Sequence, residues 1–156
     1  MLATAHRIMS LVSTYYKNLI IGIQRGNHKG VFFNAKPIFL LAIISCVDKK
    51  LLTVNQISLS EPLIKEYCSI SKQFEPEIDI TPVEKPYFHL SAEPFYTIVY
   101  KNGVTAPSSH ARTPSLRFLK DSVEYAQFDD DLWQLLQKTE IRKEFSDAIV
   151  THFLNK

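Results

Sequence analysis

The chain has 156 residues, of which 46% are hydrophobic, 12% aromatic and 22% charged. This composition is typical of a globular protein and excludes disordered and fibrous classes. The length fits one domain spanning residues 1–156, and the sequence contains no internal repeat or low-complexity segment.

The net charge of +2 conceals an uneven distribution along the chain. Residues 1–53 hold seven Lys and Arg against one acid, residues 54–100 three against seven, and residues 101–120 four against none. From residue 121 onward acids again exceed bases. Such blocks suit either a basic face that binds a polyanion such as DNA, or basic helices that pair with acidic ones.

Two helices are predicted in the first third of the chain. An apolar repeat predicts a helix over 8–25, which ends at the glycines and asparagine of "RGNHKG". That segment is expected to be an exposed basic loop. Pro37 is suited to a first helical turn, and the apolar run that follows predicts a central buried helix ending near "DKKLL". Residues 53–60 are then expected to form a short β-like stretch.

The remaining segments predict two strands and four helices. Ser60 is expected to be the N-cap of a third helix. Residues 87–92 and 95–103 are rich in aromatic and β-branched side chains, and they predict an antiparallel hairpin. Helices are expected over 115–123, 129–138 and 139–154. The predicted fold class is therefore α+β: a mainly helical single domain with a small antiparallel β-hairpin or sheet.

Several kinds of site are not indicated by the sequence. There is no Gly-rich phosphate loop, no GxSxG elbow and no metal-ligand spacing among the histidines. The acids of "FDDDLW" are most simply explained as a helix N-terminus. Cys46 and Cys68 lie in apolar segments without partner ligands, which predicts free thiols. We expect no enzyme activity, cofactor or metal.

The longest apolar run, at 38–47, is about half of a membrane span. The N-terminal segment lacks the small-residue cleavage site of a secretory signal. We therefore expect a cytoplasmic protein that does not contact a membrane.

An ordered set of motifs resembles the N-terminal domain of a family of bacterial HNH restriction endonucleases. The motifs are "KPIFLLAII" (36–44), "NQISL" (55–59), "PYFHL" (86–90), "FYTIV" (95–99) and "SLRFLKDSVEYAQFDDDLWQLL" (115–136). The resemblance covers about 15–155, and it depends on the order of the motifs rather than on any one of them. Members of the family are related to sulfur-binding domains that recognise phosphorothioate-modified DNA.

The resemblance implies that a Pro-centred apolar pocket receives the sulfur while basic residues hold backbone phosphates. A phosphorothioate sulfur is larger and less well hydrated than oxygen, so apolar carbons favour it. By position, the pocket proline is Pro86. This chain differs from the sulfur-binding domains at two positions. Lys85 stands where they have an aromatic residue, and His89 stands where they have a small residue. Ala35 stands where the family usually has histidine before the lysine.

The predicted partner is double-stranded DNA. The resemblance implies that this DNA can carry a phosphorothioate modification. The residues predicted to contact it are Arg25, His28, Lys29, Lys36, Lys85, Pro86, Tyr87, His89, Arg112, Arg117 and Lys120. On a strand, one of Tyr87 and Phe88 would face the core. The C-terminal HNH domain of the nucleases has no counterpart here, so we expect this polypeptide not to cut DNA. The alternative is a catalytically silent homologue that binds a protein partner: a separate nuclease subunit or a copy of itself.

Overall fold

A computed structural model of the chain describes residues 2–155 and the side chains of residues 4–155, and it shows a mainly helical domain with two small two-stranded sheets among these residues. The first half contains helix α1 (Leu2–Ile21), strands β1 (Asn27–His28) and β2 (Val31–Phe32), and helices α2 (Ala35–Asp48) and α3 (Glu61–Phe74). The second half contains α4 (Glu84–His89), a 3₁₀ turn (Leu90–Ala92), β3 (Tyr96–Tyr100), α5 (Leu116–Ser122), β4 (Val123–Phe128), α6 (Asp130–Leu135), α7 (Thr139–Ile149) and a π-helical turn (Val150–Leu154). The predicted α+β class is confirmed.

Helix α2 is the centre of the core, as its sequence predicts. Ten of its fourteen residues are buried, and it packs against α3, α4 and α7. Pro37 lies in its first turn, where its missing N–H leaves no helical hydrogen bond unmade. Cys46 is a free thiol on this helix, and burial raises its pKa to about 11. This thiol therefore stays protonated near neutral pH.

Helix α3 begins at the predicted cap. The Ser60 hydroxyl accepts a hydrogen bond from the backbone N–H of Leu63, and Pro62 occupies the first turn. Leu63 and Tyr67, four residues apart, are buried against the core. The capping residue and the apolar spacing thus both act as the sequence indicates.

The prediction of a strand at 87–92 is wrong, because this segment forms α4 and the 3₁₀ turn. Pro86 is the third residue of α4, where a helix does not need its N–H. Tyr87 and Phe88 are adjacent and both fully buried, which a half-exposed strand does not allow. Both aromatic side chains pack into the core from this helix, so their β-forming character does not decide its structure.

Strand β3 pairs instead with β4, a segment that lies almost entirely between the helices predicted over 115–123 and 129–138. The pairing is antiparallel, with Tyr96 opposite Phe128 and a bulge between Val99 and Tyr100. Ile57, in the predicted β-like stretch, forms an isolated bridge to Ala126. The short segment before α3 therefore lies beside the sheet.

The two ends of the chain pack together. Helix α1 ends at Ile21, earlier than predicted, and contacts α6 and α7. The Tyr16 hydroxyl donates to the carboxylate of Asp129, at 2.9 Å, immediately before α6. Asp130 and Asp131 occupy the first turn of α6, as predicted for "FDDDLW". Among residues 2–155, no helix is both long enough and apolar enough to span a bilayer.

Candidate functional site

A cavity of about 470 Å³ opens between the β1–β2 hairpin, the start of α2, and α4. Five residues predicted to contact DNA line it: Arg25, Lys36, Lys85, Pro86 and His89. The other lining residues are Gln24, Gly26, Phe33, Ala35, Thr81, Ala92, Ser109 and His110. We call this the α4 cavity. No lining residue is an acid, so every charge on its wall is positive.

The fold of α4 decides which of its side chains face the cavity. Pro86 and His89 are three residues apart and share one face of the helix. Tyr87 faces the opposite way and is 1% exposed. Its hydroxyl donates to the Ile57 carbonyl at 2.9 Å, and its own carbonyl accepts from the Tyr96 hydroxyl at 2.7 Å. The prediction that Tyr87 contacts DNA is therefore wrong: it holds α4 in the core.

Lys36 is a half-buried cation on the cavity wall. It lies in the first turn of α2, beside the buried Pro37. Burial lowers the pKa of its ammonium group, and the Glu93 carboxylate opposes that shift. Among the side chains of residues 4–155, none forms an ion pair with it within 4.0 Å. An anion entering the cavity would meet a positive charge that the protein itself does not neutralise.

His89 lies beside Lys36 and Lys85 in the same cavity. Its Nε2 atom is 2.7 Å from the hydroxyl of Thr113. Burial lowers the pKa of the imidazole, and the charges of Lys36, Lys85 and His110 lower it further. A hydrogen bond with the Ser109 backbone works in the opposite direction without reversing the shift. His89 is therefore neutral at neutral pH and becomes a cation in acid.

Arg25 contributes positive charge but is already held by the protein. Its guanidinium donates to the Asn34 side chain at 2.7 Å. The guanidinium carbon also lies 4.4 Å from the ring centre of Phe32 and 4.7 Å from that of Phe153. Such stacking is favourable for a planar cation. Arg25 therefore joins the hairpin to the C-terminal turn as well as lining the cavity.

The remaining predicted contacts lie outside the cavity. They are all exposed: His28, Lys29, Arg112, Arg117 and Lys120. The guanidinium of Arg117 lies 3.7 Å from the Asp121 carboxylate, a surface pair that contributes little to stability. Thr113, the neighbour of Arg112 in the sequence, contacts His89 of α4, so Arg112 lies close to this helix. Contacts of these five residues with DNA stay predictions.

Eight residues of the cavity wall were not predicted from the sequence, and Phe33, Ser109 and His110 are three of them. Phe33 is 54% exposed, an unusual position for a phenylalanine. Its signal in the sequence is "VFFN", three apolar residues directly after a glycine-containing turn. Ser109 and His110 belong to a long polar loop whose path the sequence does not specify.

The cavity therefore combines cations with an apolar wall. Arg25, Lys36 and Lys85 supply positive charge, while Phe33, Ala35, Pro86 and Ala92 supply carbon surface. Such a set suits an anionic ligand that also carries an apolar or aromatic part. Among the side chains of residues 4–155, no group of three His, Cys, Asp or Glu converges as a metal site would require.

Comparison with known proteins finds this fold in solved structures only. No family model and no curated protein matches the chain. The fold is shared by the sulfur-binding and SRA domains of ScoMcrA complexed with phosphorothioated DNA, with a TM-score of 0.69 and 14% identity over 88% of this chain and 42% of that one. It is also shared by the sulfur-binding domain of ScoMcrA alone, again with phosphorothioated DNA, at a TM-score of 0.66 and 14% identity over 88% and 86% of the two chains. A third match is the Type IV phosphorothioation-dependent restriction endonuclease ScoMcrA, at a TM-score of 0.65 and 13% identity over 88% and 29%.

The comparison confirms the sulfur-binding-domain-like fold that the motifs predict. This chain spans 42% of the first of these structures, and the identities are too low to carry over more than the fold. The relation to HNH nucleases stays a prediction.

Proposed function

We propose that this chain is a module that binds double-stranded DNA, related to the specificity domain of HNH restriction endonucleases and not itself a nuclease. The observation that carries the proposal is the α4 cavity, where Arg25, Lys36 and Lys85 converge with no acid on the wall. A duplex presents closely spaced phosphates, and neutralising them releases bound counterions, which favours binding. The fold shared with DNA-bound sulfur-binding domains supports the same function.

In this proposal a backbone phosphate enters the cavity beside Pro86. Lys36 and Lys85 neutralise its charge, and the ring of Pro86 with the methyl of Ala35 offers carbon surface to one non-bridging atom. Sulfur at that atom loses less hydration than oxygen when it meets carbon, so the cavity can accept a phosphorothioate. Arg112, Arg117 and Lys120, which are exposed, hold neighbouring phosphates in this arrangement.

Fluorescence anisotropy with a labelled duplex tests the proposal. The affinity is measured across a range of salt concentrations, with plain and phosphorothioate duplexes, for the wild type, Lys36→Ala and Lys85→Ala. Each substitution is expected to weaken binding and to lower the salt slope by about 1. Lys143→Ala is the matched control, since Lys143 is exposed, pairs with Asp147 and does not line the cavity.

The outcomes separate the parts of the proposal. Absence of binding to either duplex at low salt contradicts DNA binding. Equal binding to the two duplexes supports binding to the DNA backbone and contradicts selectivity for sulfur. Equal effects of Lys36→Ala and Lys143→Ala contradict the assignment to the α4 cavity.

A second candidate function is a protein-binding module that is catalytically silent. On helix α1, the exposed fractions of Ile8, Leu11 and Tyr15 are 56%, 66% and 57%. Their spacing places these side chains on one face of the helix. Such a stripe suits a protein partner, either a separate nuclease subunit or a second copy of the chain. Sedimentation equilibrium tests the second copy: a dimer that Leu11→Glu dissociates supports it, and a monomer at every concentration contradicts it.

A further inference from the structure

Phe33 is the most unusual side chain of the α4 cavity. More than half of its surface is exposed, although its ring lines a cavity whose other members are mainly charged or small. None of the aromatic pairs formed among residues 4–155 includes it. An aromatic ring that the protein leaves in water beside a cationic cavity has a face available for a ligand.

The protein holds Phe33 in place through its neighbours. Its backbone N–H donates to the Gly26 carbonyl at 2.9 Å and closes the base of the β1–β2 hairpin. A side-chain atom of the ring lies 3.0 Å from the point where a Cβ on Gly26 would stand, so the ring lies against that glycine. The next residue, Asn34, is buried; its side chain accepts from Arg25 and donates to Glu75. The exposed ring is therefore attached to an ordered backbone.

The cavity is larger than one non-bridging atom of a phosphate requires. At about 470 Å³ it falls within the range of roughly 300–1,000 Å³ that is common for small-molecule sites. One non-bridging oxygen or sulfur occupies only a small part of that space. The wall offers both a flat aromatic surface and cations, and a nucleotide carries the complementary pair: a planar base and a phosphate.

We propose that the α4 cavity binds one unpaired nucleotide, with its base against Phe33 and its phosphate near Lys36 and Lys85. This inference rests on the proposed DNA-binding function and adds that the nucleotide is out of the duplex stack. The source is either a nucleotide displaced from duplex DNA or a free mononucleotide, since both present the same base and phosphate. Unpairing is least costly where a base is already unpaired, so such sites are favoured.

The test compares two duplexes of otherwise identical sequence, one fully paired and one with a single unpaired nucleotide. Anisotropy is measured for the wild type and for Phe33→Ala, Phe33→Trp and Val31→Ala. Val31 is the matched control, because it is 65% exposed on the same hairpin but does not line the cavity. Thermal unfolding of each variant checks that it folds, which is expected because both residues are exposed.

The wild type is expected to bind the duplex with the unpaired nucleotide about tenfold more tightly, as base–aromatic stacking allows. Phe33→Ala is expected to lose this preference, so that it binds the two duplexes with equal affinity. Phe33→Trp and Val31→Ala keep the preference. A deoxynucleoside monophosphate added as competitor identifies the source: displacement of the unpaired duplex shows that a free nucleotide is accepted, and lack of displacement restricts the site to DNA.

Equal binding of both duplexes by the wild type overturns the inference and leaves the proposed function standing. Equal weakening of both duplexes by Phe33→Ala overturns it as well, since the ring then acts on the backbone or on the fold. If neither duplex binds, both the inference and the proposed function fail.

Discussion

The imidazole of His89 and the hydroxyl of Thr113 lie 2.7 Å apart and connect two segments that are 24 residues apart in the sequence. His89 is the last residue of α4, and Thr113 belongs to the polar loop between β3 and α5. Their bond brings that loop over the cavity, where Ser109 and His110 join the wall. His89 therefore helps to build the cavity in addition to facing it.

DNA binding is expected to strengthen as the pH falls below about 6.5. Burial and the nearby Lys36 and Lys85 lower the pKa of His89 below its ordinary value of 6.5, so it is neutral in the free protein at neutral pH. A phosphate in the cavity favours the protonated form and raises that pKa. The affinity is therefore expected to increase in acid. Anisotropy titrations between neutral and mildly acidic pH measure this.

Stability is expected to change in the opposite direction over the same pH range. Because the pKa of His89 is lower in the folded than in the unfolded chain, the unfolded chain binds the proton more readily. Its contribution to stability is therefore intact above about 6.5 and is lost as the pH falls through the folded pKa. Urea unfolding without DNA measures this.

His89→Gln is expected to flatten both pH dependences. His110→Gln is the comparison variant, because His110 is a second histidine that lines the same cavity. A pH profile that His110→Gln abolishes and His89→Gln preserves would contradict the assignment.

Lys36 is expected to weaken the fold and strengthen DNA binding. Its charge is partly desolvated, and only the opposing effect of Glu93 compensates for this. Lys36→Met keeps an aliphatic side chain and removes the charge, so the melting temperature is expected to stay the same or rise. The DNA affinity is expected to fall about five- to tenfold, with a smaller dependence on salt concentration. Calorimetry and anisotropy on the same preparation measure the two effects.

Lys143→Met provides the control, because Lys143 is exposed and paired only with Asp147. The melting temperature and the DNA affinity of Lys143→Met are expected to change little. A Lys36→Met protein that melts lower and binds DNA unchanged would show that Lys36 supports the fold and not the site.

The sequence predicted the elements whose signal is local and misjudged those decided by neighbours. The all-apolar run predicted the burial of α2, and Ser60 predicted the start of α3. The aromatics after Pro86 have β-forming character, yet they lie in a helix that buries both Tyr87 and Phe88 in the core. The partner of β3 is distant in sequence, whereas composition favours the nearer segment 87–92.

The same distinction applies to the site. Lys36 and Pro86 belong to motifs, so the resemblance predicts both as DNA contacts, and they line the same cavity. Phe33 and His110 belong to no motif, and their position depends on a hairpin and a loop. The resemblance predicts Tyr87 as a DNA contact because it follows Pro86, and the helix turns its side chain into the core.

Asn55 is expected to be important for stability, because its side chain acts as a short strand beside β4. Its amide donates to the Phe128 carbonyl at 2.8 Å, and its oxygen accepts from the Phe128 N–H at 2.9 Å. Asn55→Ala leaves both backbone groups without partners at a partly buried position. The expected loss is about 2 kcal/mol of unfolding free energy in urea. Gln56→Ala, at an exposed neighbour, is expected to change stability by less than about 0.5 kcal/mol.

Asn55→Asp separates the two bonds. An ionised aspartate still accepts from the Phe128 N–H but cannot donate to the carbonyl, so an intermediate loss is expected. Equal stability of Asn55→Ala and the wild type would mean that water satisfies the same groups equally well.

Gly26→Ala is expected to move Phe33 without unfolding the protein. The backbone of Gly26 is not in the left-handed region, so alanine is allowed there. The new methyl would stand 3.0 Å from the ring of Phe33, which must then shift. The ring is exposed and can move outward at little cost, so the melting temperature is expected to change by no more than a few degrees.

Binding should respond more strongly than stability. A displaced ring stacks less well, so the preference for a duplex with an unpaired nucleotide should fall several-fold, while affinity for the paired duplex stays the same. Gly22→Ala is the matched control: its Cβ would meet a backbone oxygen of Asn18 at 3.1 Å, and it does not line the cavity. Loss of the preference in Gly26→Ala alone assigns the effect to the ring of Phe33. An unchanged preference in that variant would mean that the position of the ring does not matter for binding.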